Sequence, residues 1–586
     1  MPPHPFSFKR LIILIFLTLI TYSPVLFNGF VGDDEVIFLK NDFYHSIGNI
    51  KVLFSKDYVT DLSQYHGSKD GRYHGTGEWS YRPVRTASYF LDAYLYKFNP
   101  FGYHLTNLLL HTGAVIFLYL ALLYLLPSTA AAFLTALLFS LHPLHLEAVA
   151  GISYRTDTLA ALFTFGAFCF YLKHERQPGE QIHGFRYLFL SLLFYILGIL
   201  SKESVIIFPL IIFFHGLLVS KTGFGRAFAR ASGFILIAAI YLVLYFYVFK
   251  NSFIGNVPFS REPWMPRLIT SGVILVHYLT WIVFPQQVHL LPGLFTPAAG
   301  SLTAIPYLPA GLCLAVAGIL LWTDKERRAT AVFFLLWFLT AYLPVSNIIA
   351  LANPCAHRFM YFPSAGIFAL LSMAIIRLTQ SPKVAAVLPR LQNMIFFLLT
   401  GLLMIQTLPM AFFWKNNLSV ATQWVKHYPG FFKGYEVLAL EYFKQLDCER
   451  TLGYAGKAIT LNPSVDPRMH YVKGSCLDLN HPDKEGQLLK AVDYQPNFMQ
   501  AHFELGKLYF SRGDFTGALQ SFETAYALAP QFNTSIYLIR TYLALGQRKT
   551  AERFYSDLYE ESKDKRQKRY LDEFFLKSFS EFSPVP

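Results

Sequence analysis

The chain has 586 residues, of which 54% are hydrophobic and only 15% charged, and its mean hydropathy is +0.36. That balance excludes an ordinary soluble protein of this size. The net charge of +13 does not point to nucleic acid, because basic loops between apolar spans give the same excess. The five cysteines (Cys169, Cys313, Cys355, Cys448, Cys476) show no CxxC spacing and no obvious disulfide framework.

Taken in order, Lys9 and Arg10 precede an apolar run that no small-residue cleavage site follows, which predicts a retained signal anchor with a cytoplasmic N-terminus. Apolar stretches near the ~20 residues that a bilayer requires begin about Leu11, His104, Ala130, Ile152, Tyr187, Val205, Ala231, Leu302, Ala329, Met360 and Met394, about eleven spans. The stretch Leu268 to Pro285 is ambiguous. Counted as a crossing, it puts the basic loop Asp324–Arg328 outside. Omitted, it leaves every basic loop (Lys173–Arg186, Lys221–Arg230, Asp324–Arg328, Arg377–Arg390) in the cytoplasm. We therefore expect it to be re-entrant or interfacial.

With eleven spans, the polar residues that look out of place in apolar surroundings fall on one extracytoplasmic face. Asp33, Asp34 and Glu35 follow the first span. Adjacent carboxylates raise one another's pKa, so a solvated loop end is one reading and a catalytic base at the membrane surface the other. Further on, "YRPVRTASYFLDAYLYKF" has the pattern of an interfacial helix. His142, His145, Glu147, Arg155 and Asp157 stand between two apolar runs, where ionisable groups are costly and usually functional. Capping and an internal ion pair are the alternative, and Pro143 interrupts the helix that would align a metal-binding set. Lys202 and Glu203 share a tight turn and either pair with each other or leave Lys202 for an anionic head group. His357, Arg358 and Tyr361 open a later span. Arg suits phosphate through its planar fork of donors, against plain interfacial snorkelling. Together Arg155, Lys202, His357 and Arg358 suit a lipid phosphate.

Spans stop after Phe413. "AHFELGKLYFSRGDFTGALQSFETAYALAP" carries Leu505, Gly506, Tyr509, Ala518, Phe522, Ala525 and Pro530, and Pro463, Pro496 and Pro530 recur at a period of about 34 residues. This predicts about four tetratricopeptide repeats from Phe431 to Glu560, a stack that binds peptide or serves as a spacer. The expected division is a membrane domain over 1–413, a linker over 414–430 and an extracytoplasmic repeat domain over 431–586.

"GFVGDDEVIFLKND", "SYRPVRTASYFLDAYLYKFNPFGYHLTNLLLH", "LHPLHLEAVAGISYRTDTLAALF", "LSKESVIIFPL" and "VSNIIALANPCAHRFMYFPSAG", in this order and followed by repeats, resemble GT-C superfamily membrane glycosyltransferases. The TMTC-type O-mannosyltransferases, which carry C-terminal tetratricopeptide repeats, are the most similar family. One position departs: Gly32 stands before the acidic pair, where the family often has Trp or His. The fold class expected is thus all-α, a polytopic GT-C type membrane protein of about eleven transmembrane helices followed by an α-solenoid.

The resemblance implies transfer of a monosaccharide, mannose first, from a polyprenyl-phosphate donor to an acceptor hydroxyl of Ser or Thr in a protein, with inversion. By similarity the base comes from Asp33 and Asp34, with Asp34 favoured and Glu35 beside them. Arg358 and His357 hold the donor phosphate, helped by Lys202 or Arg155. His142, His145, Glu147, Asp157 and Tyr361 shape the sugar and acceptor pocket. No cofactor is required, although nearby acids permit a divalent metal. The expected partners are the lipid donor, the membrane and an acceptor protein or peptide reached through the repeats, with no nucleic acid. Two other functions compete: a transporter or flippase of polyprenyl-linked sugars, which would spread its charges toward both faces, and a glycosyltransferase acting on a lipid-linked glycan. The short array and the lack of a retention signal favour a bacterial inner membrane, with the endoplasmic reticulum as the other possibility. The sequons at Asn417 and Asn533 matter only there.

Overall fold

The computed structural model describes the chain except for residues 1–6, 40, 55–80, 177–180, 250–263, 286–306, 350, 352, 388–389, 464–465, 563 and 582–586. Parts of the basic loops at 173–186 and 377–390 lie outside the described residues. The chain forms two compact units that part between Val420 and Ala421, and among the described residues both are helical.

The first unit holds α1 (Phe8–Tyr22), α2 (Pro83–Tyr96), α3 (Pro100–Leu125), α4 (Thr129–Leu141), α5 (Leu146–Ala150), α6 (Arg155–Glu175), α7 (Gln181–Ile199) and α8 (Phe208–Phe214). It continues with α9 (Phe224–Phe249), α10 (Trp264–Val283), α11 (Leu308–Trp322), α12 (Arg328–Tyr342), α13 (Ser364–Thr379), α14 (Pro382–Val387) and α15 (Leu391–Phe413). Six described helices are long and apolar enough to cross a bilayer, α4 with α5 makes a bent seventh, and four shorter apolar helices lie among them. Pro143 makes the bend of 51°, because proline cannot donate to the helical ladder. At the α12–α13 crossing Gly366 is required: a Cβ there would lie 2.6 Å from the Phe334 carbonyl.

Sidedness follows from who touches whom. The first loop meets the start of α3, where the His104 ring nitrogen lies 3.2 Å from the Gly29 carbonyl, and the end of α15, where the Gly29 N–H donates to the Lys415 carbonyl at 2.9 Å. The same end of the bundle holds the turns between α4 and α6, between α7 and α8, and before α13. The end of α9 reaches it too, with Tyr241 beside Glu203 and Arg82. The described contacts of α10 lie at this end as well. Tyr278 donates to the Ala356 carbonyl at 3.0 Å, Trp281 packs edge-on against His357, and His277 meets Tyr307 at the entry to α11. The described end of α9 and the start of α11 thus lie at one face, and α10 is itself among the helices long and apolar enough to cross. It is one continuous helix of 20 residues lodged at the mouth end of the bundle. The described helices long and apolar enough to cross are α1, α3, α9, α10, α12 and α15, with α4 and α5 as a bent seventh, while α7, α8 with its flanking turns, α11 and α13 belong to the shorter apolar helices. Helix α2 buries Tyr89 and Phe90 while Leu91, Tyr94 and Leu95 stay exposed, an apolar stripe suited to a bilayer surface.

The second unit follows from α16 (Asn417–His427), which runs across the boundary. Four antiparallel pairs come next: α17 (Phe432–Lys444) with α18 (Cys448–Leu461), α19 (Pro467–Cys476) with α20 (Asp483–Tyr494), α21 (Met499–Ser511) with α22 (Phe515–Leu528), and α23 (Phe532–Ala544) with α24 (Arg548–Glu561). Helix α25 (Lys565–Glu581) follows them. Small residues sit where paired helices approach, with Gly506 against Phe522 and Gly474 against Leu488. One expectation is corrected. Cys448 and Cys476 form a disulfide, Cα to Cα 5.2 Å, tying the start of α18 to the end of α19. Their spacing carries no motif, and only the antiparallel packing brings them together.

In a background with Cys313 replaced by Ala, a cysteine at exposed Trp264 should react with an impermeant maleimide from the same side as one at Ser46, and one at Asp324 from the opposite side. Labelling of Trp264→Cys from the Asp324 side would show that α10 crosses.

Candidate active site

The first loop is fastened by its own backbone chemistry. Gly32 adopts φ +59°, a left-handed conformation that a side chain disfavours, which accounts for glycine where the family often has Trp or His. The turn sends neighbouring acids in different directions. Asp33 is exposed. Asp34 is 1% exposed, and its carboxylate accepts the Ser153 N–H at 2.7 Å and the Ile152 N–H at 3.3 Å. Burial outweighs these bonds and the charge of Asp33 adds to it, so the Asp34 pKa is pushed up to about 6. Glu35 accepts from the Asn417 amide at 2.6 Å, and the Asn417 carbonyl oxygen accepts the Gly32 N–H at 2.7 Å. Asn417 is a site residue that the sequence did not reveal except as a sequon.

Tyr154 links the acids to the cations. It follows the residues that hold Asp34, and both Asp33 and Asp34 act on it electrostatically. The Arg358 guanidinium lies 4.0 Å from its ring centroid, within cation–π range. Arg358 is ion-paired to Glu147 through Nη1, and its backbone N–H donates to the same carboxylate at 2.9 Å. Phe359 then contacts two cations, lying 5.1 Å from Arg358 and 5.5 Å from Lys202. Lys202 pairs with Asp157 at 2.5 Å. Its neighbour Glu203 takes two bonds from Arg82, at 2.9 and 2.6 Å, and Arg82 with its own charge holds the Glu203 carboxyl down at about 2 against the pull of burial. Asp157, Lys202, Ser204, Phe359 and Phe362 line a cleft with about 380 Å³ of empty space. Lys202 and Glu203 thus pair with other residues and not with each other. Arg82 joins the set unforeseen, since the sequence reading placed it in the amphipathic pattern of α2.

Each cation therefore stands with a carboxylate. That is expected where charges leave water, because an unpaired one costs several kcal/mol. Donors remain, since a guanidinium carries five N–H groups and an ammonium three.

Four of the expected site residues are corrected. Arg155 is not at the mouth. It is 0% exposed and bound to Asp92 at 2.5 Å, the Asn107 side chain at 2.6 Å and the Tyr103 carbonyl at 3.0 Å, with its guanidinium over Tyr89. Every edge of the fork is committed inside α2, α3 and α6. His145 and Tyr361 are likewise core residues and do not line the cleft. His145 bonds the Phe139 carbonyl at 2.7 Å and the Ser364 hydroxyl at 3.0 Å, and Tyr361 pairs with His111. His142 belongs with them: its Nδ1 accepts the Leu144 N–H at 3.2 Å, and its carbonyl accepts from Tyr22 at 2.9 Å. Most polar groups in this knot satisfy one another, as burial demands, while the buried His142 Nε2 has no hydrogen-bond partner among the described residues. His357 is buried against Trp281 near Arg358. No group of three His, Cys, Asp or Glu among the described residues is placed to hold a metal ion.

Fold and site define a polytopic helical membrane protein with paired charges at one end of its span bundle and a tetratricopeptide array after it. The tetratricopeptide repeat family model matches residues 499–532. Over 424 residues the chain is 27% identical to the Protein O-mannosyl-transferase F38B6.6 of Caenorhabditis elegans, covering 70% of this chain and 57% of that protein. It is 33% identical over 178 residues to the Protein O-mannosyl-transferase TMTC3 of Mus musculus, covering 30% of this chain and 18% of that one. The chain thus matches little more than half of the worm protein's length and less than a fifth of the mouse protein's. Among solved structures, the oligosaccharyltransferase of Archaeoglobus fulgidus in the apo form aligns over 69% of this chain and 55% of its own with TM-score 0.38 and 13% identity. ArnT from Cupriavidus metallidurans bound to undecaprenyl phosphate aligns over 96% and 82% with TM-score 0.36 and 13% identity. The similarity in sequence runs to the TMTC-type O-mannosyltransferases, the family that the motifs pointed to.

Arg155→Ala should cost about 3–5 kcal/mol of stability, the usual result of stranding a buried partner, whereas Asp33→Asn should change stability by no more than about 0.5 kcal/mol. Thermal unfolding of the two variants decides between a core and a mouth position. Asp34 gives a pH signature. Its folded pKa of about 6 lies above the ordinary 3.8, so the folded chain holds the proton more tightly than the unfolded one. Its contribution is fully present below about pH 4 and is lost as pH rises through about 6, by at most about 3 kcal/mol. Subtracting the unfolding free energies of Asp34→Asn from those of the parent over this window should reveal that slope, and a flat difference would contradict it.

Proposed function

We propose that the chain is a membrane glycosyltransferase that moves a monosaccharide from a polyprenyl-phosphate donor to a hydroxyl of a protein acceptor. The observation that carries this reading is the approach of an exposed carboxylate to two largely enclosed cations: Asp33, Arg358 and Lys202 are linked through Tyr154 and Phe359. The names of the relatives favour mannose as the sugar and Ser or Thr as the acceptor.

In this mechanism Asp33 is the proton acceptor, because it is the acid that an incoming hydroxyl can reach. Asp34 fixes the loop from inside, and Glu35 with Asn417 fixes its other edge. Asp33 removes the acceptor proton as the oxygen attacks the anomeric carbon. The bond from that carbon to the phosphate oxygen breaks on the opposite side, which inverts the centre. The departing phosphate keeps the electron pair, and the remaining donors of Arg358 and Lys202 meet its charge. Glu147 and Asp157 hold the two cations in place before the donor arrives. His357 sits behind Arg358 and supports it.

Orientation belongs to the same proposal. Arg176, Arg226, Arg230, Arg327 and Arg377 lie at the bundle end away from Asp33, and the positive-inside rule assigns that end to the cytoplasm. The mouth and, after eleven crossings, the repeats then face an oxidising compartment such as the bacterial periplasm or the lumen of the endoplasmic reticulum. The disulfide Cys448–Cys476 fits such a compartment. The repeats would present the acceptor polypeptide.

The test is transfer by purified protein from a panel of polyprenyl-phosphate sugars to acceptor peptides. Asp33→Asn should lower turnover by about 10²–10⁴-fold with folding retained. Undiminished turnover would remove Asp33 as the base, and no transfer from any donor by the parent would remove the enzyme reading.

A further inference from the structure

A second cleft lies at the other end of the bundle. Helix α6 has 21 residues, so its two ends are about 30 Å apart. Its first turn is at the mouth and its last is in this cleft. The cleft lies between α6, α7 and α9 and has a volume of about 510 Å³. Its walls are apolar, with Tyr171 from α6, Leu192 from α7 and Phe234 from α9. Its rim is charged. Arg230 pairs with Glu175 at 2.6 Å, while Arg226, one turn earlier on α9, is exposed and forms no ion pair with a described residue. Two arginines against one glutamate leave a single positive charge. The His174 Nδ1 lies 2.8 Å from the Gly184 carbonyl.

We propose that this cleft binds the head group of an anionic phospholipid, with Arg226 and the open edge of Arg230 on the phosphodiester and an acyl chain against Leu192 and Phe234. One positive charge matches one phosphodiester. The outer face of α9 continues from the rim as Phe228, Ile235 and Leu236, all exposed, so a chain leaving the cleft stays on apolar surface. A soluble anion would satisfy the rim and leave the walls uncovered. A zwitterionic head group would bring its ammonium against the arginines. This site is separate from the mouth, and it does not depend on the glycosyltransferase reading.

The test uses the full chain purified in detergent, with native mass spectrometry and thermal unfolding in the presence of phosphatidylglycerol, phosphatidylcholine or inorganic phosphate. Phosphatidylglycerol should give retained adducts and a raised Tm, and the other two neither. Arg226→Gln should weaken phosphatidylglycerol binding about fivefold, the effect of one arginine near an anionic head group. Lys325→Gln, which removes an exposed cation at the same end outside the cleft, should leave it unchanged. Equal binding by Arg226→Gln, equal loss in Lys325→Gln, or equal stabilisation by phosphatidylcholine or by phosphate alone would each overturn the proposal.

Discussion

A charge taken out of water must be paired, and at the mouth of this bundle and in the core just behind it that requirement organises everything else. Arg155 with Asp92, Arg358 with Glu147, Lys202 with Asp157 and Arg82 with Glu203 each join segments far apart in the chain. A partner removed from any such pair leaves a charge stranded in a poor solvent, which is why the pairs fix the ends of α2, α3, α6, α8 and α13 relative to one another. Arg155 is the innermost. Its fork reaches Asp92, Asn107 and Tyr103 at once, so it sets where α6 begins. Everything that Asp34 holds depends on that start, because Ile152 and Ser153 are the turn just before it.

From this frame the chemistry of the acid loop follows. Two neighbouring aspartates have different roles because Gly32 turns the chain so that one faces inward and the other outward. The inner carboxylate is held by backbone N–H groups at the entry of a helix, a setting that favours negative charge, yet burial prevails and keeps its pKa near 6. The outer one is positioned without being buried. A loop fastened on either side of Asp33, by the Gly32 N–H to the Asn417 side chain and by Asp34 to the α6 entry, presents that acid with little freedom, and such preorganisation is what a reacting group needs. Asn417 begins the helix that leads into the repeats, so the loop is held by the chain segment on which the repeat array hangs.

The two ends of the bundle are unlike in a way that bears on membrane placement. At the mouth, cations are matched one to one by carboxylates. At the far end they are in excess, with Arg226 outside any ion pair among the described residues and Arg230 sharing its charge with Glu175. Neutral pairs suit a site that admits an anion only when a substrate brings it. An unbalanced basic rim suits standing contact with an anionic surface.

The sequence by itself determined what depends on local pattern. Hydropathy marked the apolar helices, six of them long enough to cross with a bent pair as a seventh, and the recurrence of Pro463, Pro496 and Pro530 marked the repeats, because apolar length and helix-pair period are written in consecutive residues. The motif order nominated Asp33, Glu147, Lys202 and Arg358; the structure pairs Arg358 with Glu147 and Lys202 with Asp157 and leaves Asp33 exposed. What only the tertiary structure decided is which of the polar residues face out. Arg155, His145 and Tyr361 look no different in sequence from Arg358 and Lys202, yet they are enclosed in the core, as His357 is, and the partners of the first three, Asp92, Ser364 and His111, lie far along the chain. The same is true of Cys448 with Cys476 and of Asn417 with Glu35. Burial and pairing are properties of packed surfaces, so a side chain's exposure and partner are fixed only when distant segments meet.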